Sequence, residues 1–132
     1  MRVIIQEADD DFRKQIVVDF NSDNRFAVIK VFKSLFLLLD EMTALQADVL
    51  ILNWQHHRNF LFYITNIRNT FPTLKIIVTF DFVQPDFIFQ LQQQGVHHFL
   101  IKPFALDDVL NDDVFFKLQF KLQFHVALLS FQ

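Results

Sequence analysis

The fold is decided by the stretch Asp48-Val49-Leu50-Ile51-Leu52-Asn53, an apolar run of strand length that ends in a polar residue. Two later runs have the same character: Leu74-Lys75-Ile76-Ile77-Val78 ends in Thr79, and Phe99-Leu100-Ile101 ends in Lys102. Strands that are apolar throughout are typical of parallel sheets, because helices cover such sheets on both faces. Segments between the runs have helical periodicity, so we predict five strand–helix units in alternation.

Working outward from residues 48–53, the remaining elements follow from periodicity and turn chemistry. We predict strands over 2–6, 26–31, 48–53, 74–79 and 97–101, and helices over 10–21, 35–46, 60–71, 85–94 and from 107 toward the C-terminus. Asp9 or Asp10 and Ser34 are predicted N-caps, and Pro85 suits a first helical turn. Gly95, the only glycine, lies where a left-handed helix C-cap is expected.

Composition limits the classes of function. A chain of 132 residues with 52% hydrophobic residues fits one domain with a substantial core. No apolar run approaches the ~20 residues of a membrane span, and the N-terminus lacks a signal-peptide layout. The net charge is −3 with scattered basic residues, which argues against nucleic acid as a partner. We therefore expect a cytoplasmic domain without membrane contact.

Metal chemistry is not predicted either. Without cysteine there is no disulfide framework or thiolate metal site. His56 and His57 follow the third predicted strand, whereas His97 and His98 begin the fifth, so the two pairs lie at opposite edges of the sheet. A strand of five residues spans about 17 Å, which is too far for the pairs to share one zinc ion.

The residue usage is unusual, with 19 phenylalanines and one glycine. Ordinary domains contain about 7% glycine. Codon bias, relaxed selection or deliberate redesign would each produce this composition, and the sequence leaves the three open.

Polar residues collect where the strands end. An acidic stretch, Glu7 to Asp11, follows the first strand, and Asn53, Thr79 and Lys102-Pro103 follow later ones. Ligand sites of parallel sheets lie at the carboxyl ends of the strands. This arrangement resembles the active site of a response-regulator receiver domain. The resemblance covers about residues 1–118, with 119–132 extending the last helix. It implies a flavodoxin-like (βα)5 three-layer fold, strand order 2-1-3-4-5, and a cis Lys102–Pro103 peptide.

The same resemblance shows what the site lacks. In the family an Asp at the position of Asn53 accepts a phosphoryl group, and two acids after the first strand hold Mg²⁺. A carboxamide is not a usable nucleophile. Glu7 matches the first acid, Ala8 falls on the second, and Asp9 comes one place late. Phe80 stands where the family prefers a small residue, and we expect it to crowd the entrance. We therefore predict a degenerate site with no tight Mg²⁺, no cofactor and no enzymatic activity.

Four of these residues have alternative interpretations. Glu7 and Lys102 are expected to form a structural ion pair under a covered pocket. In the family, residues at the positions of Thr79 and Phe99 couple phosphorylation to the surface of the fourth helix, fifth strand and fifth helix. A strand-end hydroxyl bonded to backbone and a core aromatic are the simpler interpretations of Thr79 and Phe99.

An apolar outer surface is predicted on the last two helices. Residues 116–126 alternate apolar and polar, which is a strand signal, yet their phenylalanines also form one helical stripe, and the fold favours a helix. The expected surface residues are Phe87, Phe89, Leu91, Phe116, Phe120 and Phe124. Such a surface would bind a protein partner or a second copy. Alternatively, the phenylalanine enrichment extends over the whole chain and has no local meaning.

These observations predict a phosphorylation-independent module for protein interaction or dimerisation, in signal transduction or transcription regulation. Two alternatives remain open. One is a redesigned receiver scaffold without biological function, which the single glycine and the repetitive C-terminal segment suggest. The other is a conventional phosphoacceptor that uses a nearby acid such as Asp9 or Asp10.

Overall fold

The structure, a computed structural model, describes residues 1–42, 46–54 and 59–111. Within these ranges, five strands alternate with five helices, as predicted. The strands are β1 (Arg2–Gln6), β2 (Ala27–Phe32), β3 (Val49–Asn53), β4 (Lys75–Phe80) and β5 (His98–Ile101). The helices are α1 (Asp10–Asn21), α2 (Leu35–Glu41), α3 (Phe60–Thr70), α4 (Pro85–Gln93) and α5 (Leu106–Leu110).

The strands form one parallel sheet in the order β2-β1-β3-β4-β5. This confirms the predicted flavodoxin-like arrangement. Each strand is followed by a helix, and α1 to α4 each connect one parallel strand to the next. Because all strands run the same way, their carboxyl ends share one edge of the sheet, and the predicted site residues are collected there.

The core has two layers, one on each face of the sheet. Side chains alternate between the layers along every strand, so Ile4 packs with α2, α3 and α4 while Val3 and Ile5 pack with α1 and α5. The strands β3 and β4 are buried along almost their whole length, as the continuous apolar runs predicted. Among the described residues, no helix is long and apolar enough to cross a bilayer.

Local signals set the helix ends. The Asp9 side chain accepts a hydrogen bond from the backbone N–H of Phe12 at 2.8 Å, and Ser34 caps α2 in the same way. Pro85 occupies the first turn of α4, and Gly95 just after that helix has a φ of +86°. These predictions are confirmed. The Lys102–Pro103 peptide is cis, as the resemblance implied.

Some predicted boundaries differ from the observed ones. Helix α2 ends at Glu41, well before the predicted end at residue 46. Helix α5 ends at Leu110, and its C-cap is Asn111. The predicted domain boundary at residues 118/119 lies outside the described residues. So do Phe116, Phe120 and Phe124 and the choice between helix and strand for the C-terminal segment.

Candidate functional site

Four predicted site residues lie at the carboxyl edge of the sheet, on the face covered by α1 and α5. Asn53 and Thr79 are paired in register between β3 and β4. Each of them comes two residues after a residue whose side chain packs in the α1 and α5 layer. Glu7 and Lys102 also come two residues after such a residue. Residues two apart on a strand share a face. The sheet therefore brings these four side chains to the same side of the edge.

The best-defined contact of the site is an ion pair between Lys102 and Glu7. The Lys102 Nζ donates to Glu7 Oε1, and the two side chains are only 7% and 3% exposed. Asp81, after β4, lies 3.2 Å from the same ammonium but is 74% exposed. The ammonium also lies 4.7 Å from the centroid of the Phe12 ring. Lys102 is thus compensated by carboxylates from two loops.

The surroundings of Glu7 hold its carboxylate in place. Its other oxygen, Oε2, accepts a hydrogen bond from the backbone N–H of Ala8 at 3.0 Å. The Arg13 guanidinium donates to the Glu7 carbonyl at 2.9 Å and ties α1 to this turn. Both carboxylate oxygens of Glu7 are therefore engaged within the protein.

Asn53 is buried at the end of β3. Its backbone N–H donates to the side-chain oxygen of Gln6 at 3.2 Å, and the Gln6 amide nitrogen donates to the Lys33 carbonyl at 3.0 Å. Gln6 thus joins the ends of β1 and β3 to the segment after β2. Sequence reasoning missed this residue, although a polar residue at the end of an otherwise apolar strand was the available signal.

Asp9 and Asp10, which follow in the acidic stretch after β1, have other partners than Lys102. Asp9 is exposed and caps α1. Asp10 pairs with Arg13 at 2.6 Å and with Lys33 at 3.4 Å, and hydrogen bonding to these two cations, Arg13 first, lowers the pKa of its carboxyl. The structure therefore brings only Glu7 of this acidic stretch to Lys102.

Comparisons with known proteins bear on the fold. No protein-family model and no curated protein matches the sequence. Among solved structures, the chain is similar to RcsB from Salmonella enterica serovar Typhimurium bound to promoter rprA with the phosphomimetic BeF3⁻, at 20% identity and TM-score 0.79, over 93% of this chain and 66% of that one. The isolated REC domain of RcsB matches at 21% identity and TM-score 0.70, over 93% and 88% of the two chains.

A third similar structure is HP1043, an orphan response regulator of H. pylori, at 20% identity and TM-score 0.68, over 83% of this chain and 89% of that one. The chain has the fold of a response-regulator receiver domain. It spans 66% of the DNA-bound RcsB chain but 88% of the isolated REC domain. The similar structures are response regulators, which are signalling proteins rather than enzymes.

The pocket residues of this fold differ in whether they can offer oxygen ligands to a divalent cation. Of the described carboxylates near the pocket, only Glu7 is buried, and Lys102 already binds it. Asn53 offers a neutral amide, Ala8 offers no side-chain ligand, and Asp9 is used as a helix cap. No group of three or more His, Cys, Asp or Glu in the described part of the chain is suited to a metal. Because Mg²⁺ needs several oxygen ligands in near-octahedral geometry, these residues do not fit it.

Phe80 occupies a different place from the one predicted. It lies in the α2, α3 and α4 layer, fully buried, with its ring stacked 5.9 Å from the Trp54 ring and 6.4 Å from the Phe99 ring. Since Thr79 precedes it, Phe80 faces the opposite side of the sheet. The prediction that Phe80 crowds the entrance to the site was wrong.

The switch-like and surface residues also have defined places. Thr79 is buried, and Phe99 is a core aromatic of the receiver fold. Leu91, predicted on the outer surface, is fully buried instead, because it lies on the same side of α4 as Ile88. Phe87 is half-buried with its ring 4.7 Å from Trp54, so Phe89 is the one exposed residue among the three predicted surface residues within 59–111.

Proposed function

We propose that this chain is a degenerate receiver domain that acts through protein contacts without phosphorylation. The observation that carries the proposal is the ion pair of Lys102 with Glu7, next to an asparagine at the phosphoacceptor position. By the resemblance, Lys102 is a residue that would contact phosphoryl oxygens if the site were phosphorylated. Here a protein carboxylate already compensates it.

The chemistry of the pocket supports the proposal. Phosphoryl transfer needs a nucleophile, a bound cation and positive groups around the transferring oxygens. Asn53 cannot supply the nucleophile, and Glu7 is the only buried acid among the residues that the structure describes. Without a covalent phosphate, nothing stabilises one arrangement of the domain over another, so signalling by population shift has no driving force. A fixed contact surface is the remaining way for such a domain to transmit information.

The proposed partner is a protein, and the proposed contact includes the outer side of α4. Phe89 on this helix is 48% exposed, and Phe82 in the loop before it is 64% exposed. Exposed aromatic rings beside a polar rim are typical of contact sites. A cytoplasmic location, expected from the sequence, belongs to the same proposal. The promoter contact of RcsB is a property of that longer protein and is not extended to this chain.

The rival function, a phosphoacceptor that uses Asp9 or Asp10, has less support. The Asp9 carboxylate caps α1, and Asp10 is paired with two cations on the surface. Neither acid approaches Lys102, whose ammonium binds Glu7 and Asp81. A phosphoryl group on either residue would therefore lack the stabilising lysine.

Incubation with acetyl phosphate and Mg²⁺, followed by intact-mass measurement, tests the proposal. The wild-type chain and Asn53→Asp are each expected to show no stable phosphoryl adduct, whereas the double variant Asn53→Asp/Ala8→Asp regains both a nucleophile and a second acid and should become labelled. Label on the wild-type chain would overturn the proposal. Label on Asn53→Asp alone would show that only the nucleophile is missing.

A further inference from the structure

Exposed aromatic side chains collect on α2 and α3, away from the predicted surface. Phe36 and Leu37 on α2 are 58% and 56% exposed, and Phe62 on α3 is 64% exposed. The ring of Tyr63 lies edge-on to both Phe36 and Phe62, at centroid distances of 5.6 and 6.0 Å. We call Phe36, Leu37, Phe62 and Tyr63 the α2–α3 patch.

The outer face of α3 next to this patch carries no charge. Its exposed residues are Phe62, Asn66, Asn69 and Thr70, spaced as one helical stripe. Asparagine amides both donate and accept hydrogen bonds, so one such stripe can pair with an identical one. Lysine or glutamate at these positions would repel its own copy. The stripe is therefore compatible with itself across a two-fold axis.

Two charged residues of α2 lie at the margin of the patch. Asp40 and Glu41 are exposed at the end of α2, and Glu41 is paired with Lys30 of the edge strand β2 at 3.2 Å. A contact centred on α3 would leave these carboxylates at the rim, where water solvates them. An aromatic centre with a polar rim is the usual composition of a protein interface.

We propose that the α2–α3 patch is a contact between two copies of this chain, with α3 packed against its symmetry mate. Asn66 and Asn69 pair across the contact at its edge, and the aromatic rings fill its centre. The inference rests on the proposed function only in assuming that the domain works through surface contacts. The state of the phosphoacceptor pocket plays no part in it.

The size of the patch is that of a small, transient contact. At the observed exposures, Phe36, Leu37 and Phe62 each offer roughly 100 Å² of accessible area, since an aromatic side chain buries about 150–250 Å² when fully covered. The apolar centre is then roughly 300 Å² per copy, below the ~800 Å² per partner of a standard interface. We therefore expect a weak, reversible dimer.

Sedimentation equilibrium over a series of protein concentrations tests the inference. We expect concentration-dependent dimerisation of the wild-type chain, and a loss of at least about tenfold in association for Phe62→Glu, which places two like charges at the axis. Val18→Glu, at an exposed apolar position on α1 across the sheet from α3, is the matched control and should leave association unchanged. Far-UV circular dichroism checks that both variants are folded, and folding is expected because both positions are exposed.

Three results would overturn the inference: a monomer at every concentration, unchanged dimerisation of Phe62→Glu, or loss of the dimer in Val18→Glu. The side-chain amide resonances of Asn66 and Asn69 provide a second readout, since they should shift with concentration only if α3 lies in the contact. These outcomes are independent of the phosphorylation assay. A chain that dimerises and also becomes phosphorylated would retain this inference while contradicting the proposed function.

Discussion

Lys102 is held from two sides by carboxylates that differ in their exposure to water. Glu7 is buried and Asp81 is mostly exposed, so the loss of stability depends on which partner of the buried pair is removed. Lys102→Met leaves the Glu7 carboxylate buried without its cation, and we expect it to lower the free energy of unfolding by about 3–5 kcal/mol. Glu7→Gln should cost less, because Lys102 keeps Asp81.

Urea denaturation of the two single variants and of Glu7→Gln/Lys102→Met measures these effects. The double variant removes both charges and is expected to be more stable than Lys102→Met alone. A double variant at least as unstable as the sum of the single variants would contradict the ion pair as the reason for the loss.

Asp9 belongs to the acidic stretch that resembles a metal site, yet the structure gives it a capping role. Asp9→Ala removes the acceptor for the Phe12 N–H and should lower the free energy of unfolding by about 1 kcal/mol. Asp9→Asn keeps an oxygen acceptor but removes the charge, so its loss should be much smaller. If Asn is as costly as Ala in chemical denaturation, the charge of Asp9 matters and the capping interpretation fails.

The residues of the site were predictable to different degrees. Apolar runs fix where strands end, and the common edge of a parallel sheet then brings Asn53, Thr79 and Lys102 together. Which contacts a side chain makes at this edge was harder to predict, because they depend on the neighbouring residues in space. The Gln6 side chain at the end of β1 is hydrogen-bonded to the Asn53 backbone at the end of β3. Phe80 faces the core because side chains alternate between the two faces of the sheet along β4.

At the scale of elements, the end of α4 requires a glycine because of its backbone conformation and not because a side chain would lack room. Gly95 has a φ of +86°, and the N–H of Val96 donates to the Leu91 carbonyl at 3.0 Å. A Cβ at Gly95 would lie 3.6 Å from Arg68 Cγ, an ordinary contact. Gly95→Ala should therefore lower the free energy of unfolding by about 1–2 kcal/mol through the left-handed conformation alone.

Gly95→Asn is the matched variant, because asparagine tolerates this conformation better than alanine does. Thermal unfolding of both should rank the wild-type chain first, Asn second and Ala third. Equal losses for Asn and Ala would indicate a packing cost at Gly95 instead.

The existence of α4 was predictable, but its buried face was not assigned correctly. Proline at its start and glycine after its end marked the helix. Counting apolar residues suggested a surplus for the surface, yet Ile88 and Leu91 form the buried stripe and leave only Phe89 outside. Which face of a short helix is buried depends on how the helix lies on the sheet. The spacing of apolar residues within a helix of nine residues does not determine that face.

At the scale of the whole molecule, the phenylalanine enrichment serves both core and surface. Phe20, Phe60 and Phe99 are fully buried, whereas Phe36 and Phe62 are exposed. Composition therefore indicated a well-filled core but could not tell which helices would expose rings. That choice depends on how α2 and α3 lie on the sheet, which follows from the assembled fold.

The sheet lies between two core layers and should make them unfold as one unit. Trp54, the only tryptophan, packs on Phe80 and Phe87 in the layer of α2, α3 and α4. Phe20 is buried in the opposite layer, 4.9 Å from the Phe26 ring. Because each central strand packs into both layers, we expect Phe20→Leu to lower the stability reported by Trp54 fluorescence by about 1 kcal/mol.

The measurement is urea unfolding followed in parallel by Trp54 fluorescence and far-UV circular dichroism. Val18→Ala, an exposed position on the same helix as Phe20, is the control and should change stability by less than about 0.5 kcal/mol. A Phe20→Leu variant whose circular dichroism midpoint falls while the fluorescence midpoint stays would show that the layers unfold separately. In that case the pocket beside Asn53 could not depend on the whole sheet for its geometry, because one layer would persist without the other.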